Sequence, residues 1–196
     1  MNHTRHKPDF HKLCAPAQNY NRQEVFPRMI FYFFLGSVAG FFWEVLIMLI
    51  TEHHFRNRGF FYGPWLPIYG VGAVILYILL TKLKKHPVAV CLLSAAIGGL
   101  WELAMGWFLD AVWGLRYWNY SGLPFQFRGY VCLWSVLGFG AAGCLWVCFL
   151  SGFLTERWLR LPEHIRRGAN TLLALLFLID CAAALIFPNT GRGITF

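Results

Sequence analysis

Long apolar blocks separated by short polar segments organise this chain, and within each block the apolar residues run on continuously instead of tracing an amphipathic stripe. Five blocks, at residues 29–50, 62–80, 88–113, 130–151 and 170–187, reach or approach the roughly 20 residues that a helix needs to cross about 30 Å of hydrocarbon. The pattern predicts an all-α integral membrane protein of about five transmembrane helices. Residues 1–28 read as a polar cytoplasmic tail, 29–187 as a single transmembrane domain and 188–196 as an external tail. The second block is short and opens on two prolines, as a helix does when it is broken around a cavity or absorbed by a thinned bilayer.

Two stretches recur in the same order. Gly40-Phe41-Phe42-Trp43-Glu44 is echoed by Gly98-Gly99-Leu100-Trp101-Glu102 at an offset of 58 residues. Arg58-Gly59 followed by aromatics is echoed by Arg128-Gly129-Tyr130, and Gly70 by Gly140, at an offset of 70. The difference between the offsets falls in the loops. This predicts a diverged two-helix repeat, with units at about residues 36–80 and 94–151 and a fifth helix at 170–187. Because two helices make up each unit, the units run in the same direction through the membrane, an arrangement known among transporters.

Composition narrows the class further. A hydrophobic fraction of 58%, 13% charged residues and a mean hydropathy of +0.50 exclude an ordinary soluble domain, which carries about 25% charge. The net charge of +8 is spread among the loops and gathers on no single face, so it supports no nucleic-acid partner. Twelve of the seventeen lysines and arginines fall in residues 1–28 and in the second and fourth loops. The positive-inside rule then places the N-terminus in the cytoplasm and the C-terminus outside. The six cysteines lack zinc-like spacing and read as small hydrophobes, with no disulfide framework and no metal site.

Three acidic residues, Glu44, Glu102 and Asp180, lie inside apolar blocks, where a carboxylate costs about 2.5–3.5 kcal/mol to insert and so is expected to face protein or water. Glu44 shares a helix face with Gly36 and Gly40, and Glu102 with Ser94 and Gly98, small residues that let membrane helices pack closely. On the repeat, the two glutamates sit at comparable depth. They form either a coupled proton- or cation-binding pair or two separate anchors paired with Arg58, Arg128 or tryptophan indoles. Asp110 lies near the outer end of its block and reads as interfacial. No Walker A, nucleophile-elbow or zinc-protease pattern occurs, so no catalytic residue and no cofactor is expected.

The run Arg58-Gly59-Phe60-Phe61-Tyr62-Gly63-Pro64, then Pro67-Ile68-Tyr69-Gly70-Val71-Gly72-Ala73, Glu102-Leu103 and Trp118-Asn119-Tyr120-Ser121 resemble the putative ABC-transporter type IV family, bacterial multi-pass membrane proteins often labelled as permeases. The likeness covers about residues 35–145, with Asn119 standing where the family's tetrapeptide carries an aspartate. It marks Arg58, Gly59, Tyr62, Gly63, Pro64, Pro67, Tyr69 and Gly70 as motif positions, and the internal repeat adds Arg128 and Gly129. The likeness also implies a permease-like role in the inner membrane; a separate ATPase subunit or an ion gradient is the expected energy source, and a homo-oligomer is an expected assembly. The resemblance names no substrate. The competing class is a non-transporting scaffold or accessory subunit of an envelope complex.

Overall fold

The computed structural model describes residues 22–53, 59–114 and 116–187. Arg58, residues 1–21 of the expected N-terminal tail and the expected tail at 188–196 lie outside the described residues. Helix α1 spans Arg22–Glu52, α2 Pro67–Leu80 with a 3₁₀ turn at Thr81–Leu83, and α3 Pro87–Trp113. A two-stranded hairpin follows, β1 Gln126–Phe127 and β2 Val131–Cys132, and then α4 Leu133–Leu159 and α5 Glu163–Ile186. The Glu24–Ile50 part of α1, and all of α3, α4 and α5, are long and apolar enough to cross a membrane. The protein is all-α and membrane-type.

Helix boundaries follow local chemistry. Pro67 and Pro87 begin α2 and α3 at positions whose N–H would have no helical partner. Gly114, at φ +64°, ends α3 in the left-handed conformation that glycine adopts freely. Cys132 and Ser135 start α4 with reciprocal side-chain-to-backbone hydrogen bonds. The expected second block shortens: residues 62–66 are not helical, and α2 has 14 residues, about 21 Å at 1.5 Å each. Prolines 64 and 67 cause this, because proline cannot donate to a preceding turn and holds the residue before it extended, as Leu66 is at φ −119°. In the other direction, α1 starts at Arg22, inside the expected tail, and α5 starts at Glu163 instead of residue 170.

Helices α1 and α2 pack as one antiparallel pair, and α3 and α4 as another. A Cβ on Gly40 would run into the Tyr69 ring, and one on Gly98 into the Phe139 ring. Gly36 abuts Ala73 as Ser94 abuts Gly143. Gly70 lies on Ser37 and the Phe33 carbonyl, and Gly140 on Ala95 and the Cys91 carbonyl. Each contact of the first pair becomes one of the second when the α1 residue is shifted by 58 and the α2 residue by 70. Leu76, Leu80, Val90, Val147 and Cys148 join the pairs in a common core, and the Trp146 indole donates to the Ala73 carbonyl at 2.9 Å. Trp146 opens a five-residue π-turn within α4.

The two ends of the bundle differ. At the end holding the starts of α1, α3 and α5, Arg166 forms a two-pronged bond with Glu24 (2.8 and 3.1 Å), and Asn170 donates to the Pro27 carbonyl. Tyr32 meets Thr155 and the Ser151 carbonyl there. The acidic candidates lie towards the other end.

Candidate functional site

Glu102 is only 5% exposed, on the face of α3 that meets α4. Two hydroxyls hold its carboxylate. Ser135, on the first turn of α4, stands 2.7 Å from Oε2, and Tyr120 donates to Oε1 at 2.9 Å. Ser135 is fixed by its capping role, since its Oγ accepts from the Cys132 N–H and lies 2.9 Å from the Cys132 carbonyl oxygen. The Tyr120 main chain is tied by its N–H to the Gly129 carbonyl at 2.9 Å. Burial, followed by the charge of Glu102, raises the Tyr120 phenol above its usual range, so it stays protonated as a donor.

Glu44 accepts from the Tyr69 hydroxyl at 2.5 Å. Tyr69 stands on α2, with its ring over Gly40 and 6.5 Å from that of Phe139. It occupies the register of Phe139 shifted by 70 residues, so the tyrosine serving Glu44 is a phenylalanine in the second pair. That substitution leaves Glu102 to take its donors from the loop and from Ser135. Trp101, next to Glu102, donates its indole N–H to the Ile68 carbonyl at 3.1 Å and so ties α3 to α2 beside the cluster.

Residues 116–132 cap this end. Arg116 pairs with Asp110 at 2.8 Å, and Tyr130 donates to the same carboxylate at 2.5 Å. The Arg116 guanidinium lies 4.5 Å from the centre of the Tyr130 ring. Trp118 donates to the Tyr130 carbonyl at 2.7 Å. Gly106 lets Tyr130 and Trp118 rest on α3. Gly129 belongs to the turn between β1 and β2. Its φ of +73° turns the hairpin, and a Cβ there would press on Asn119 and Ser121 of the same loop. Asn119 orders that turn by accepting from the Ser121 N–H and hydroxyl.

Asp180 does not join the glutamates. It stands seventeen residues past the first residue of α5 and six before the last, about midway between the centre of the helix and its C-terminal end. Its oxygens accept from the main-chain N–H groups of Tyr62 and Gly63, at 3.0 and 2.8 Å. Together with Phe177, packed against Phe33, Phe34, Phe61 and Trp65, it binds α5 to the non-helical stretch before α2. Tyr62, Gly63 and Pro64 are thus part of this seam, and the Tyr62 hydroxyl reaches the Phe187 carbonyl. Gly70 serves helix packing, and the Arg128 guanidinium lies over the Phe127 ring.

Ser135 escaped the sequence reading. A serine three residues after Cys132 signals a cap, but nothing local ties it to a glutamate 33 residues upstream. No group of three or more metal-ligating side chains occurs among the described residues.

A bundle of long apolar helices with a hydroxyl-held carboxylate inside defines a polytopic integral membrane protein. The chain belongs to the putative ABC-transporter type IV family, which matches residues 31–185. No curated protein and no solved structure matches it.

Proposed function

We propose that the chain is the membrane-embedded, permease-like subunit of a transport system, and that Glu102 is its proton- or cation-responsive group. Ser135 carries the argument. Its Oγ lies between Glu102 Oε2 at 2.7 Å and the Cys132 carbonyl at 2.9 Å. With Glu102 ionised, Ser135 donates to the carboxylate. With Glu102 protonated, the carboxyl donates to Ser135, which turns its own proton to Cys132. Both protonation states are satisfied without moving a helix, whereas a purely structural carboxylate needs only one. Glu44, through Tyr69, is the second carboxylate of the same system. The contacts recurring at offsets of 58 and 70 support a parallel two-helix repeat that brings the two glutamates to one level. Energy would come from a separate ATPase subunit or an ion gradient, and self-association is compatible with the exposed apolar faces.

The test is infrared difference spectroscopy of the protein in lipid, titrated across about pH 4 to 9. A protonated-carboxyl band that titrates in the wild type and is lost in Glu102→Gln supports the reading. A spectrum in which Glu102→Gln removes no titrating band overturns it, and the carboxylates then fit the scaffold class.

For orientation, we place the chain in the inner membrane with its basic end, including Lys82, Lys84 and Lys85, in the cytoplasm. A reporter fused after Lys85 should read cytoplasmic and one within residues 116–128 external. The reverse at both sites overturns the assignment.

A further inference from the structure

Leu100, Leu103, Ala104 and Trp107 fall at i, i+3, i+4 and i+7 and form one stripe along α3. The capping hairpin overhangs that stripe, and Phe127, Arg128 and Tyr130 make the second wall of an open groove of about 330 Å³. Leu100, Trp107 and Phe127 are each more than half exposed, so in a bilayer the groove opens to lipid. From Trp107 to Leu100 the trough runs about 10 Å at 1.5 Å per residue, deep enough to seat the upper part of an acyl chain. Its one charged wall residue is Arg128, whose guanidinium lies over the Phe127 ring, 5.8 Å from its centre. Among the described residues no carboxylate pairs with Arg128. A cation held against an aromatic beside an apolar trough complements an anion that carries a long apolar tail.

We propose that this groove is a binding site for an anionic phospholipid of the adjoining leaflet, with the head-group phosphate on Arg128 and one acyl chain along Trp107, Leu103 and Leu100. The guanidinium fork suits a phosphate, which accepts two parallel N–H bonds from it. Nearby aromatics at Tyr130 and Trp107 mark the interfacial level at which such a head group lies. The cluster around Glu102 takes no part, so the two proposals stand or fall separately.

The experiment is native mass spectrometry of the intact protein released from detergent containing equal amounts of phosphatidylglycerol and phosphatidylcholine with the same acyl chains. Wild type should retain phosphatidylglycerol in preference. Arg128→Asn should cut that preference about fivefold, the worth of one basic residue at an anionic membrane surface. Asparagine suits the position because it tolerates the left-handed backbone found there, φ +50°. Ala104→Trp, which fills the exposed trough, should lower retention of the same lipid with Arg128 intact. Arg157→Gln, at the opposite end of the bundle, should leave the preference as in wild type. An unchanged preference in Arg128→Asn overturns the site, as does an equal loss in Arg157→Gln, which would reduce the effect to overall charge.

Discussion

Ser135 and Glu102, on different helices and 33 residues apart in sequence, meet at 2.7 Å, and Tyr120 completes the hold on the same carboxylate from the capping loop. Removing either hydroxyl leaves the buried carboxylate with one donor. Ser135→Ala and Tyr120→Phe should each lower stability by about 1–3 kcal/mol, the range for stripping a partner from a buried polar group. Combined, they should depart from additivity, since they share one acceptor. Denaturant unfolding in a fixed lipid–detergent mixture measures all three. Additive costs would mean that the two hydroxyls do not act through a common group.

Glu44 and Glu102 offer a second cycle. Each is buried or half-buried inside the bundle. If they are coupled, Glu44→Gln with Glu102→Gln should cost less than the sum of the single changes, because one substitution already relieves the repulsion or shared proton. Unfolding at about pH 5 and about pH 8 reads the effect in both protonation regimes. Costs that add within about 0.5 kcal/mol at both values would leave two independent anchors.

Asp180 is assigned a structural task. Asp180→Ala removes the acceptor from two main-chain N–H groups at Tyr62 and Gly63 and should cost about 1–3 kcal/mol. Asp180→Asn keeps one oxygen and should cost less. Hydrogen exchange at Tyr62 and Gly63 should speed up in the alanine variant, while exchange at Ser135 stays as in wild type. Unchanged exchange at residues 62–63 would remove Asp180 from this seam.

At Gly129 two effects act together: a left-handed backbone and contact of any Cβ with Asn119 and Ser121. Gly129→Ala should therefore lower stability by at least about 1–2 kcal/mol, the backbone cost alone for an L-residue in that region. Gly72→Ala is the contrast. Gly72 is helical and has open space where a Cβ would go, so alanine there should stabilise by up to about 1 kcal/mol. Melting curves of the two variants in the same detergent decide it, and an undisturbed Gly129→Ala would discard the account of this turn.

Much of the fold was legible in the sequence because its causes are local. Continuous apolar blocks demand helices in lipid, where every main-chain group must be satisfied within the segment. Pro67, Pro87 and Gly114 mark helix ends through their own backbone chemistry. The contacts of Gly40 with Tyr69 and of Gly98 with Phe139 fall at the offsets of 58 and 70 seen in the sequence, but only the structure showed which residues touch. Tertiary structure alone decided what holds the acids. Helix rotation and loop path place Ser135 and Tyr120 on Glu102, and they put the Tyr62 and Gly63 amides on Asp180. Periodicity says which face of a helix is apolar, but in a block that is apolar all round it names no preferred face. The partner of a carboxylate in such a helix is therefore set by close packing of small residues against neighbouring helices, a property of the assembled bundle.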